Sequence, residues 1–233
     1  MQYLVEIFIL FLAWLAFFIS RKDLRKDMLW SGYYYFIILS IGFILIKIVS
    51  PNISANKTII PGYWNPDTFF DLGRITGGYS IEDAFYMFLT GGIAAAVYEV
   101  IFRKKNTGKK LKNKPHYALI SGVLVGGITS SIFDLNLIWV LIIFGFVASL
   151  VICLQRRDLI AEVILGGISY LFVYIFFSLL FTSIFPNYIT DFYSLQNLSG
   201  VLTFNHIPIE ELLFALSFGM SWSPIYEYVK NEK

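Results

Sequence analysis

The stretch SIEDAFYMFLTGGIAAAVYE at residues 80–99 returns 128 residues later as PIEELLFALSFGMSWSPIYE at residues 208–227. Ile81-Glu82-Asp83 stands against Ile209-Glu210-Glu211, Gly91 against Gly219, and Tyr98-Glu99 against Tyr226-Glu227. Each copy opens on two acids, runs through an apolar stretch and closes on Tyr-Glu. Upstream, at an offset of 135, Arg21-Lys22-Asp23-Leu24 matches Arg156-Arg157-Asp158-Leu159. The same offset pairs Phe11 with Phe146, Ala13 with Ala148, Gly32 with Gly167 and Tyr35 with Tyr170. The second half has a loop seven residues shorter, which absorbs the change of offset. Self-similarity at a fixed spacing is an architectural signal. It predicts two equivalent halves.

The solvent for those halves is lipid. Of 233 residues, 57% are hydrophobic and 15% charged, with a mean hydropathy of +0.68. A soluble domain carries about 25% charged residues, so this chain cannot clothe a water-facing surface. Soluble enzyme folds, disordered chains and disulfide-stapled secreted domains are thereby set aside. The lone Cys153 has no intramolecular partner, and a net charge of +2 does not point to nucleic acid.

Seven apolar blocks approach the ~20 residues that a helix needs to cross a bilayer: residues 3–19, 28–49, 81–102, 117–133, 137–154, 159–185 and 208–229. Asp134-Leu135-Asn136 leaves only a tight turn between the fourth and fifth. The first block lacks a basic segment before it, so it is expected to remain as a span and not as a cleaved leader. Fifteen of the eighteen Lys and Arg residues lie on one side of a seven-span arrangement, seven of them within 103–114. Such clusters face the cytoplasm and its anionic headgroups, so the N-terminus is expected outside and the C-terminus in the cytoplasm. The sequons at Asn52, Asn56 and Asn197 then fall in outward loops. The expected architecture is an all-α membrane protein with a first repeat at 1–116, a linker span at 117–133 and a second repeat at 134–233. Parallel repeats of this kind are related by an axis along the membrane normal.

Acids inside a membrane are costly and are functional candidates by default. Glu82, Asp83, Glu210 and Glu211 also sit in first helical turns, where acids favour the helix dipole, so a structural role competes with a chemical one. The repeat predicts that Glu82 and Glu210 face a shared interior near one leaflet, and Glu99 and Glu227 near the other. Glu82 and Glu99, seventeen residues apart, are separated by about 25 Å and cannot act on one bond. The inner pair reads as helix-end groups. A helix dipole is worth about 0.3–1 kcal/mol, less than the cost of burying a carboxylate, so an acid facing a dry cavity keeps its proton. Tyr86 and Phe214, one turn beyond Glu82 and Glu210, could hold a carbocation against their ring faces. His206 reads as an interfacial loop residue. No Gly-X-Gly-X-X-Gly follows a strand and no His/Cys/carboxylate run has metal-ligand spacing, so neither a nucleotide cofactor nor a metal is expected. The last span has no interior Lys to carry a retinal Schiff base.

Pro208-Ile209-Glu210-Glu211 at the head of a final apolar helix resembles the Pro-X-Glu-Glu/Asp motif of the small membrane lycopene cyclases. Length, seven spans and two motif copies resemble the fused single-chain form over essentially the whole sequence. The first copy departs from the motif, with Ser80 in place of Pro. Ser is a good N-cap, so the helix start and both acids are kept. The resemblance implies a lycopene β-cyclase that isomerises lycopene through γ-carotene to β-carotene in the cell membrane without a cofactor. It takes its carotenoid from the bilayer, with room for association with other carotenoid-pathway enzymes. It further implies that Glu82 or Glu210 is the acid, with Asp83, Glu211 or the opposing Glu as partner, and that Tyr86 and Phe214 contact substrate. Ring type and the equivalence of the two halves are open at this level. A 3+1+3 sugar carrier of the SWEET type shares the span arrangement, and a cyclase for a longer or modified carotenoid shares the motif.

Overall fold

In lipid every backbone polar group must be satisfied within the segment that carries it, so long apolar runs fold as helices. The computed structural model describes residues 2–49, 52–76, 78–102, 117–204 and 207–231; His206 and the basic run 103–114 lie outside them. The helices among these residues are α1 (Gln2–Ser20), α2 (Arg25–Val49), α3 (Leu72–Ile75), α4 (Ile81–Phe102) and α5 (Ala118–Phe133). They continue with α6 (Leu137–Gln155), α7 (Ile160–Ile184), α8 (Tyr188–Phe192), α9 (Ile209–Trp222) and α10 (Ile225–Lys230). A two-residue antiparallel pair, β1 (Leu202–Thr203) and β2 (Ile207–Pro208), leads into α9.

Among the described residues, five helical runs are long and apolar enough to cross a membrane: Gln2–Ser20, Lys22–Ile48, Ile81–Phe102, Leu137–Gln155 and Arg157–Ile184. The fourth block forms a shorter helix of 16 residues. The last block, read from sequence as one span, is two helices. Pro224 has no N–H for the ladder of α9, so α9 ends at Trp222 and α10 begins at Ile225. The turn at Asp134-Leu135-Asn136 is as tight as the sequence suggests. Asp134 takes a left-handed conformation that ends α5, and the Asn136 side chain accepts the Ile138 N–H to start α6.

Helix α4 lies at the centre: 61% of its apolar window is buried, against 11–33% for the other four long runs. α1 and α2 pack on α4, α6 and α7 pack on α9, α4 touches both α7 and α9, and α5 lies against α6. The same contacts recur at the two sequence offsets. α1 and α6 have 19 residues each, and α2 and α7 have 25 each. Arg21 pairs with Asp23 at 2.7 Å and donates to the Glu99 carbonyl. Arg156 pairs with Asp158 at 2.9 Å and donates to the Glu227 carbonyl at 3.1 Å.

Small residues allow this close packing, as is usual between membrane helices. A Cβ on Gly219 would lie 2.6 Å from Tyr170 Cβ and 3.0 Å from Gly167 Cα. Gly219→Ala is therefore expected to cost about 1–3 kcal/mol, read as a lowered thermal midpoint in detergent. An unchanged midpoint would show that the α7–α9 contact is looser than this.

The loops at one end of the bundle join into a cap. Asn65 N–H donates to the Phe192 carbonyl at 2.8 Å and Ser194 N–H to that of Tyr63 at 3.0 Å. The Asn136 amide reaches the Asn56 carbonyl at 2.8 Å. Tyr63 and Tyr193 meet edge to face beneath this cap, with ring centroids 5.4 Å apart.

Candidate active site

The four motif acids have three different surroundings, and local chemistry explains each. Asp83 is used up at its own helix start. Ser80 donates to Asp83 Oδ2 through both N–H and Oγ, each at 2.7 Å, and Ser80 Oγ accepts the Asp83 N–H at 3.2 Å. This is a reciprocal capping box. Tyr3 takes the other oxygen, Oδ1, at 2.7 Å.

Glu82 and Glu210 grip their own loops. Glu82 Oε1 accepts the N–H of Phe69, and Glu210 Oε1 that of Ser199 at 2.7 Å. In both, Oε2 is buried without a hydrogen-bond partner among the described residues. Neither of these two acids lines the cavities described below.

Glu211 differs because Pro208 does. Proline has neither an N–H nor a side-chain oxygen, so no capping box can form. The Glu211 carboxyl is released from the helix end into the interior, 7% exposed, where Tyr63 and Tyr174 donate to its two oxygens. It faces a cavity of about 60 Å³ bounded by α1, α4 and α7 under the cap. A second carboxyl lines that cavity: Glu6 of α1, whose Oε2 accepts the Tyr188 hydroxyl at 2.7 Å. The two acids interact electrostatically across it. Burial first, and then the charge of Glu211, pushes the Tyr63 and Tyr193 hydroxyls well above the ordinary tyrosine range. Burial and then Glu6 do the same to Tyr188. These cap phenols thus stay protonated and serve as donors to the carboxyls.

The rest of the wall is aromatic: Tyr86, Tyr170, Phe177 and Phe181 line it. Tyr86 is where the sequence places it. Phe214 is not among the lining residues; it stacks on Phe218 at 5.7 Å and packs with Ile138 and Ile142. Towards the opposite end of the bundle lies a wider, almost wholly apolar cleft of about 320 Å³, also between α1, α4 and α7. Ile93, Val173 and Phe177 line both spaces and stand between them, so the two form a seam along α4 divided by these side chains. From Tyr86 to Ile101 it extends about 22 Å at 1.5 Å per residue.

At that opposite end Glu99 and Glu227 do meet. Together with Glu162 they form a buried group whose carboxylate oxygens lie within 4.8 Å of one another. Glu162 was not singled out from sequence. The cluster joins α4, α7 and α10 on the side away from the aromatic cavity.

A cavity with two buried carboxyls, ringed by phenols and adjoining an apolar cleft, suits acid chemistry on a lipid-soluble polyene. The family model for lycopene cyclase matches residues 1–101 and 136–229. The chain belongs to the lycopene cyclase family. No curated protein and no solved structure matches it. This lycopene cyclase family member is therefore an enzyme of carotenoid cyclisation, and its apolar helices place it in a membrane. Sequence reasoning missed Glu6, Tyr63, Tyr174 and Tyr188 in this cyclase. For Glu6 a signal existed, since it is the one charged residue within the first apolar block.

Proposed function

We propose that the protein is a lycopene β-cyclase that rearranges the ψ-ends of lycopene, through γ-carotene, to β-carotene as a non-redox isomerase. The observation that carries this reading is the pairing of Glu6 and Glu211 in one aromatic cavity. Protonated Glu211 gives its proton to the terminal double bond of the ψ-end, leaving a tertiary cation. The neighbouring double bond attacks that cation and closes the ring. Proton loss from the adjacent ring carbon, to Glu6, forms the ring double bond. One proton enters and one leaves, so atoms and electrons balance without a redox partner. Tyr63 and Tyr174 hold the Glu211 carboxylate after transfer. The ring faces of Tyr86 and Tyr170 stabilise positive charge and exclude water, which would trap the cation as an alcohol.

In this reading Glu82 and Glu210 are positioning residues that fix the cap, and Asp83 is a helix cap. The substrate enters sideways from the bilayer, its polyene lying along the α1/α7 seam. The chamber is small, so admission of a ψ-end requires α1 and α7 to part. Seven crossings, counting α9 and α10 as one, put the capped end and the N-terminus outside and the Arg21 and Arg156 end in the cytoplasm of a cell membrane. The matched segments 1–101 and 136–229 flank α5, which supports two repeats around a linker span.

Two experiments test the reading. Expressed in a bacterium that accumulates lycopene, the chain should convert the pigment to β-carotene, as seen by chromatography; unchanged lycopene with inserted protein would refute it. Tyr174→Phe should lower turnover about 10-fold or more, the usual worth of a hydrogen bond to a charged group, with folding retained. Wild-type turnover in that variant would remove the phenol from the mechanism.

A further inference from the structure

We infer that the protein has a single reaction chamber, so that the two ends of one carotenoid are cyclised in separate visits and the monocyclic product is released between them. This rests on the cyclase reading above and adds how the site is used. Two motif copies would suggest two chambers, one for each end of a symmetric substrate. The side chains argue otherwise. At the repeat offsets, Glu6 corresponds to Leu141, Tyr174 to Leu39 and Tyr86 to Phe214. Leu39 and Phe214 pack against the central core. Glu211 corresponds to Asp83, which already accepts hydrogen bonds from Ser80 and Tyr3 at 2.7 Å. At the second location the acid, Asp83, is held by Ser80 and the Tyr3 phenol, and leucines stand where the first has the opposing carboxyl Glu6 and the donor Tyr174.

Among the described residues, the chamber that has both carboxyls is built across the halves, with Glu6 and Tyr86 from the first and Tyr174 and Glu211 from the second. It lies under the cap, and the apolar cleft adjoins it on the side away from the cap along α4. A carotenoid with one ψ-end in the chamber has its other end towards the opposite side of the bundle, where the buried Glu99, Glu162 and Glu227 line neither the chamber nor the apolar cleft. To present that end the molecule must withdraw into lipid and turn around.

The test uses the full-length protein in phosphatidylcholine liposomes loaded with excess lycopene, with pigments followed by chromatography from the first turnovers. Monocyclic carotene should rise to many times the molar amount of protein before the bicyclic product appears after a lag. Bicyclic product from the start, with monocyclic carotene never exceeding the protein, would overturn the inference while leaving the cyclase reading intact. Absence of any ring product would overturn both. Glu211→Gln supplies a second readout, with lycopene and the monocyclic carotene offered separately. One chamber predicts that both conversions fall about 100-fold or more. A variant that still forms one ring and stalls at the monocyclic stage would reveal a second acid and contradict the proposal.

Discussion

Glu211→Gln should abolish ring formation, lowering lycopene turnover by about 10²–10⁴-fold, the usual contribution of a general acid. Glutamine keeps the shape and its Oε1 can still accept from one of Tyr63 and Tyr174, but its amide nitrogen accepts from neither and it has no carboxyl proton to give. Asp83→Asn is the matched control, because Asp83 occupies the same repeat position and is held by Ser80 and Tyr3. Its loss should weaken the start of α4 by about 1 kcal/mol and appear as a lower melting temperature, with turnover within a few-fold of wild type. The reverse pattern, an active Glu211→Gln and a dead Asp83→Asn, would move the chemistry to the other half.

Glu6→Gln should have the second largest effect. Without a base opposite the acid, the ring cation survives longer and is lost by other routes. Lycopene consumption should fall about 10²-fold. The residual products should include hydroxylated rings and rings with a displaced double bond. Product identity separates this role from a structural one, since a Glu6 that only anchors Tyr188 would change stability and leave the product pattern alone. A Glu6→Gln variant making β-carotene at the wild-type rate would exclude it from the site.

Much of this arrangement is legible in the sequence. Apolar block length locates α1, α2, α4, α6 and α7 to within a few residues, because lipid leaves the backbone no alternative to helix. The acids of both motif copies stand at helix starts, where the dipole and the capping chemistry put them. What escapes is the difference between the copies. Ser80 and Pro208 both begin helices well, but only Ser80 can return hydrogen bonds to the acid three residues on. Pro208 leaves Glu211 free to turn inward. That consequence depends on which polar atoms lack a local partner, which periodicity does not register. The cap is less legible still, since Tyr63 and Tyr193 reach the site from loops without a repeating pattern. Phe214 shows the limit of the repeat: the position equivalent to Tyr86 packs with Ile138 and Ile142.

The most direct measurement is turnover by purified protein in liposomes containing lycopene and no added flavin, nicotinamide, metal or reductant. In the proposed mechanism, proton transfer between Glu211, substrate and Glu6 needs none of these. The expected result is steady loss of lycopene with stoichiometric appearance of ring-bearing isomers. Conversion that begins only when a redox cofactor is added would contradict the proposed chemistry at the Glu6–Glu211 cavity.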